Sequence, residues 1–192
     1  MNLCAAPSPP SGSPDELRLR SPQRSVVDER DFRSAMVAMA ASVGVATARV
    51  GEEAVGRTVT AAMSFAISPP AILVSIANRS RLAELVTQAE GFSYAVLAED
   101  QEMVGDAFAG WLDAEARFHV GIWDQWPSGH PRLLGAATAL DCEVIGAVSG
   151  AEHTLFVGAV AEVKTIPERK PLMWHNRQYK RLAPHGAPGR DR

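Results

Sequence analysis

The sequence predicts a mainly β protein with accessory helices, built as an antiparallel sheet curled into a barrel. Three observations carry that prediction. Apolar runs are short and rich in β-branched residues, as in AILVSIA and GFSYAVLA. The segments between them are too short to hold repeated crossover helices, which favours strands that return antiparallel to their neighbours. Finally, ATALDCEVIGAVSGAEHTLFVGAVAEVKTI reads as one long hairpin. Leu140, Cys142 and Val144 alternate on one arm, and Leu155, Val157, Ala159, Ala161 and Val163 on the other.

Composition bounds the rest. With 46% hydrophobic and 21% charged residues, the 192-residue chain suits one folded domain with tails. A net charge of -3 offers no basic face, so nucleic acid is not an expected partner. No stretch approaches the roughly 20 apolar residues of a membrane span, and the N-terminus lacks a basic region followed by an apolar one. Cys4 and Cys142 read as reduced thiols, and the expected location is the cytoplasm, away from membranes. The histidines show neither paired-cysteine company nor i, i+4 spacing, so no metal site is expected. Neither a Gly-x-Ser-x-Gly elbow nor a Gly-x-Gly-x-x-Gly fingerprint is present.

Taken in order, residues 1–25 combine Pro, Ser and Gly with mixed charge and are expected to be a disordered tail. Residues 26–182 are the expected domain, and 183–192 a flexible C-terminal tail. In DERDFRSAMVAMAASVG, Asp28 reads as an N-cap, and Phe32, Met36 and Met39 fall at helical spacing as a core-facing stripe that Gly44 ends. VGVATARV is a strand that turns at GEE and returns through AVGRTVT. AILVSIA follows a Pro-Pro corner as a buried strand, and SRLAELVTQ is a helix with Leu82, Leu85 and Val86 inward. GFSYAVLA is a further strand, and EDQEMVGDAFAGW a helix with an acidic first turn. Trp111, Trp123, Trp126 and Trp174 suit the core or a subunit interface.

Two stretches carry chemistry. Period-2 reading of RTVTAAMS puts Arg57, Val59, Ala61 and Met63 on one face, with Thr58, Thr60, Ala62 and Ser64 on the other. One face of a curved strand is then almost free of bulk. A flat aromatic ring fits there, and so does close sheet packing. About twenty residues on, Asn78, Arg79 and Ser80 open a helix, where free backbone N–H groups, a hydroxyl and a guanidinium converge as a phosphate cradle or as an ordinary cap. Together, shelf and cradle describe a nucleotide-like cofactor such as a flavin.

The blocks DFRSAMVAMAASVGVAT, GRTVTAAMSFAISPPAILVSI, NRSRL, FSYAVLAEDQ, AFAG, ARFHVGIW, PRLLGAATALDCEV, GAEHTLFVGAV and PLMWHNRQYKRL follow one another across the whole folded region. In this order the chain resembles the short flavin reductases that supply reduced flavin to two-component monooxygenases. The resemblance implies a Greek-key split β-barrel, usually a homodimer, that passes hydride from NADH, or from NADPH, to FMN or FAD. It implies that Thr58, Val59, Thr60 and Ala61 lie against the isoalloxazine and that Asn78, Arg79 and Ser80 hold the phosphate end. Gln101 would approach the ring or ribityl chain, His153 the nicotinamide, and Tyr179 the same pocket. The chain departs from the family in having Ala151 and Glu152 where Gly-Asp commonly precedes the histidine, and Thr60 and Ala61 where serines are common. A flavoprotein that reduces another acceptor, such as a corrinoid or ferric chelate, and a flavin-binding module without turnover are the competing readings. A fourth is a purely structural barrel.

Overall fold

A computed structural model describes residues 15, 16 and 21–183, so the expected tails lie for the most part outside the described residues. The chain runs β1 (Asp15–Glu16), α1 (Glu29–Met36), β2 (Ala41–Ser42), β3 (Gly44–Val50), β4 (Glu53–Val59), β5 (Ala62–Ile67), β6 (Pro70–Ala77), α2 (Arg81–Ala89) and β7 (Gly91–Val96). It continues with α3 (Glu102–Asp106), a π turn (Ala107–Trp111), a 3₁₀ turn (Arg117–His119), β8 (Trp123–Gln125), β9 (Pro131–Leu133), β10 (Thr138–Gly150), β11 (His153–Thr165), β12 (Met173–His175) and β13 (Gln178–Lys180).

One large sheet has the order β4-β3-β7-β10-β11-β6-β5, with every neighbouring pair antiparallel. The short β1 adds a parallel pairing at Val148 and Ser149 of β10. The sheet order itself dictates the curl. Strands β4 and β5 occupy opposite edges, yet only Thr60 and Ala61 separate them in the chain. Three peptide links reach about 10 Å, so the two edges must meet at that corner. There the chain leaves β3, with Val59 opposite Gly44, and joins β6, with Ala62 opposite Val74. The amide of Ser75 donates to the Ala61 carbonyl at 2.9 Å and pins the seam. The result is a split β-barrel, as expected.

Two cores lie on the two faces of the central strands. The first, within the curled sheet, gathers Ala46, Val74, Leu82, Leu85, Val86, Phe92, Tyr94 and Phe156, with α2 closing one end. The second collects Val45, Ala95, Leu97, Phe108, Trp126 and Leu133 on the opposite face, under α3 and the π turn. Val45 and Ala46, like Tyr94 and Ala95, thus face different cores, and this explains why β3 and β7 read as continuous apolar runs. Helix α2 forms as expected: the Ser80 hydroxyl accepts from the Ala83 amide, and Leu82, Leu85 and Val86 are buried.

Three expectations need correction. Asp28 does cap α1, accepting from the Asp31 amide at 2.8 Å, but the helix ends at Met36 rather than near Gly44 and buries none of its side chains. Phe32, Met36 and Met39 are 54%, 43% and 62% exposed, so the stripe does not face this chain's core. RTVTAAMS is not one strand, since the seam interrupts it and no single alternation spans it. On β11 the buried face is Thr154, Phe156 and Gly158, the reverse of the expected phase. Gly158 explains this: the Phe92 ring packs so close that a β-carbon there would lie 2.6 Å from it.

Candidate active site

The seam is the floor of an open cleft of about 460 Å³, a volume in the range of small-molecule sites. Thr58, Val59, Thr60 and Ala61 form one wall, and Ser75, Ile76 and Ala77 the facing one. Arg79, Ser80 and His153 line it from the end of β6, and Arg57 joins them at the start of the first wall. The proximity of the walls follows from the Ser75–Ala61 hydrogen bond and the register that places His153 opposite Ala77.

Each wall has a local cause. Thr60 and Ala61 lie outside both ladders, and among the described residues neither amide N–H is bonded to protein. Both residues are solvent-exposed and carry little bulk, so these two donors are open to a ligand. Thr58 is half-buried and donates its hydroxyl to the Gly105 carbonyl at 2.7 Å, tying the wall to α3. That proton is therefore committed, and Thr60 supplies the free hydroxyl. Gly56 permits the close seating of this strand, because a β-carbon would fall 2.6 Å from the Phe108 ring.

At the other end, Ser80 donates to the Ala77 carbonyl at 2.7 Å while capping α2, so its hydroxyl is engaged in shaping the turn. The Arg79 guanidinium is exposed and has no ion pair or hydrogen bond among the described residues. None of the residues lining the cleft is acidic. An uncompensated positive charge at a helix start is suited to an anion.

Asn78 does something other than line the cleft. Its amide donates to the Glu152 carbonyl at 2.9 Å, its side-chain oxygen accepts from the Thr154 hydroxyl at 2.8 Å, and its side-chain nitrogen donates to the Ala151 carbonyl at 3.3 Å. It staples the β10–β11 turn to the end of β6 and so fixes where His153 begins its strand. Ala151 sits there at φ +46°, a conformation that favours glycine.

Two expected residues lie elsewhere. Gln101 turns back on its own loop, accepting from the Ala98 amide at 2.9 Å and donating to the Leu134 carbonyl at 3.0 Å, and it lines a different cleft. Tyr179 donates to the Asp106 carboxylate at 2.8 Å and packs edge-on against Trp174, behind α3. Burial, with Asp106 beside it, pushes the Tyr179 phenol well above its usual range. Conversely, Arg57, Ser75, Ile76 and Ala77 line the cleft without having been singled out as ligand contacts. The sequence signal for the β6 residues was the Pro-Pro corner, which sets a hairpin register and returns Ser75 alongside Ala61.

Among the described residues no group of three or more His, Cys, Asp or Glu side chains could hold a metal, and no helix is long and apolar enough to cross a membrane. Cys142 is buried, and that burial pushes its thiol up to about 12.

Comparison with known proteins gives a consistent result. The flavin reductase like domain matches residues 36–183. The reductase component of an FADH(2)-dependent resorcinol hydroxylase from Rhizobium sp. (strain MTP-10005) is 35% identical over 82% of this chain and 89% of its own length. The reductase component of 4-hydroxyphenylacetate 3-monooxygenase from Thermus thermophilus is 33% identical over 79% of this chain and 95% of its own. Among solved structures, the NADH:FAD oxidoreductase of Streptomyces globisporus C-1027 superposes with a TM-score of 0.76 at 27% identity, covering 85% of this chain and all of the other.

Proposed function

The chain belongs to the flavin reductase like family, and on that premise we propose that it passes hydride from NADH to FMN or FAD and releases the reduced flavin to a partner monooxygenase. The single observation that carries this reading is the seam cleft: a shelf of small residues with two open amide donors, ending at an unpaired guanidinium. Those features fit a flat ring with a phosphate tail. The flavin, when bound, supplies the redox chemistry, accepting hydride at N5 from C4 of the nicotinamide.

The protein's part is to bind and orient. The walls at Val59–Ala61 and Ser75–Ala77 offer an open shelf of small side chains for the ring. The Thr60 and Ala61 amides can hydrogen-bond its polar edge and offset negative charge that develops there. Arg79 holds the phosphate, with the Ser80 turn positioning it. His153, held by the Asn78 staple beside the end of β6, orients the nicotinamide at the ring, where proximity does most of the work. Gln101 and Tyr179 support the scaffold in this arrangement and do not touch the cofactor.

The assembly we propose is a cytoplasmic homodimer. Phe32 and Met36 on α1 and Met39 just after it, with Met63, Phe65 and Ile67 on the edge strand β5, leave apolar surface that a second copy would cover. Sedimentation of the purified chain tests this, and a monomer at micromolar concentration refutes it.

For the activity, purified protein is mixed with NADH in air, with and without FMN or FAD. NADH oxidation that depends on added flavin is the expected result. No oxidation with either flavin refutes the reductase reading. His153→Ala is expected to raise the KM for NADH more than that for flavin.

A further inference from the structure

We propose that Arg57 is a second anion grip of the cleft, one that takes the diphosphate of an adenosine dinucleotide. The inference rests on the reductase reading above for its substrates, but its geometry is independent of it.

Arg57 lines the cleft from the start of the shelf wall, whereas Arg79 lies past the end of β6. Like Arg79, it is exposed and has neither an ion pair nor a hydrogen bond among the described residues. Its surroundings are built to leave it uncompensated. The guanidinium reaches over Gly110, whose hypothetical β-carbon would stand 3.6 Å from its terminal nitrogen. Gly110 holds φ +111° within the π turn, a backbone that side chains with a β-carbon rarely adopt.

Behind it stands a second guanidinium. Arg117 is 9% exposed and donates to the Leu112 carbonyl at 3.1 Å and the Gly56 carbonyl at 3.4 Å, on the residue that precedes Arg57. Burial, and after it the charge of Arg57, lowers the Arg117 pKa, while Asp113 opposes this only in part. One cation thus stands buried behind the other, and the residues that line the cleft alongside Arg57 include no carboxylate. An entering phosphate relieves that repulsion and meets an open donor fork. Directly after Gly110, Trp111 is 79% exposed, leaving an aromatic face beside the same turn.

FMN carries one phosphate, for which Arg79 suffices. FAD and NADH share the adenosine diphosphate group that FMN lacks, and this is the chemistry a second grip with an adjacent indole recognises. ADP is therefore the probe. Calorimetric titration of ADP into the full chain is expected to show binding that Arg57→Gln weakens about tenfold and Arg57→Lys weakens less, while FMN affinity changes less than about twofold. Failure of ADP to bind the unaltered chain, or equal binding to Arg57→Gln, overturns the proposal. Steady-state kinetics then identifies the source. A raised KM for NADH with FMN as acceptor assigns the group to NADH, and a raised KM for FAD alone assigns it to FAD. If neither KM moves, the proposal also fails. Should the unaltered chain not oxidise NADH with any flavin, the reductase reading fails while the ADP titration still judges Arg57.

Discussion

Replacing Arg79 by Gln tests the phosphate end of the site. The side chain is exposed and unpaired, so its removal leaves no buried partner stranded and should leave the fold intact. A guanidinium about 4 Å from a phosphate gains about 1 kcal/mol in bulk water and about 4 kcal/mol at an effective dielectric near 20. The open cleft places this pair near the lower figure, and one charge-assisted hydrogen bond adds to it. A loss of about 1.5 kcal/mol, roughly tenfold in Kd, is expected for FMN. Riboflavin has the same ring without the phosphate, so its affinity should change by less than about twofold. Raising ionic strength should shrink the difference between the two proteins, because exposed charges are screened over about 10 Å at 0.1 M salt. Quenching of flavin fluorescence measures all of these affinities. Equal weakening of riboflavin and FMN would refute the assignment, as would an FMN affinity that ignores the substitution.

Further outcomes follow from the same geometry. Gly158→Ala places a β-carbon 2.6 Å from the Phe92 ring and 2.8 Å from the Cys142 β-carbon, and overpacking of this kind costs about 1–3 kcal/mol, so the urea midpoint should fall. An unchanged midpoint would mean that Phe92 does not pack on β11 as described. Ala151→Gly relieves a left-handed alanine, offset in part by the greater entropy that glycine gives the unfolded chain, and should stabilise by up to about 1 kcal/mol, read as a higher Tm. A lower Tm would contradict the turn geometry. His130 is 5% exposed, accepts from the Arg49 amide at 3.2 Å, and burial holds its pKa below the usual 6.5, with Arg49 adding to the effect and Asp141 opposing it. The folded state therefore resists a proton that the unfolded state accepts, so stability is lost as pH falls from 6.5 towards the lowered value. Asp141, whose pKa is raised by burial, works in the opposite sense, since the folded state takes up its proton more readily than the unfolded one. Unfolding midpoints at pH 7.5 and 5.5 should differ, and His130→Gln should reduce that difference; an equal difference in both proteins counts against the buried neutral imidazole.

Much of the fold was legible because its elements are encoded locally. The Ser80 cap and the Leu82, Leu85 and Val86 face follow from spacing within a dozen residues, and the long β10–β11 hairpin from two strand-like runs joined by a short turn. What escaped depends on partners distant in sequence. Helical spacing makes Phe32, Met36 and Met39 an apolar stripe but cannot say what covers it, and among the described residues nothing does. The break at Thr60–Ala61 arises because the two flanking strands bond to opposite edges of the sheet, a long-range fact that no local pattern holds. The phase of β11 was set by Phe92, more than sixty residues upstream, pressing on Gly158. In the site, the shelf and Arg79 were visible as an unusual lack of bulk and an unusual charge. Gln101 gave no local sign of its partners: its amide is satisfied by the Ala98 N–H three residues back and by the Leu134 carbonyl, which lies thirty-three residues on.

The seam cleft is shallow, with Thr60, Ala61, Ala77, Arg79 and His153 all solvent-exposed along it. A dye held on such a ledge remains within reach of dissolved oxygen, so electrons can drain to peroxide for as long as it lingers. Selection should then favour a brief stay and a nearby acceptor over a tight embrace. Productive electron delivery becomes a race between capture downstream and autoxidation in solution, and its outcome depends as much on the abundance of the receiving protein as on this one's turnover.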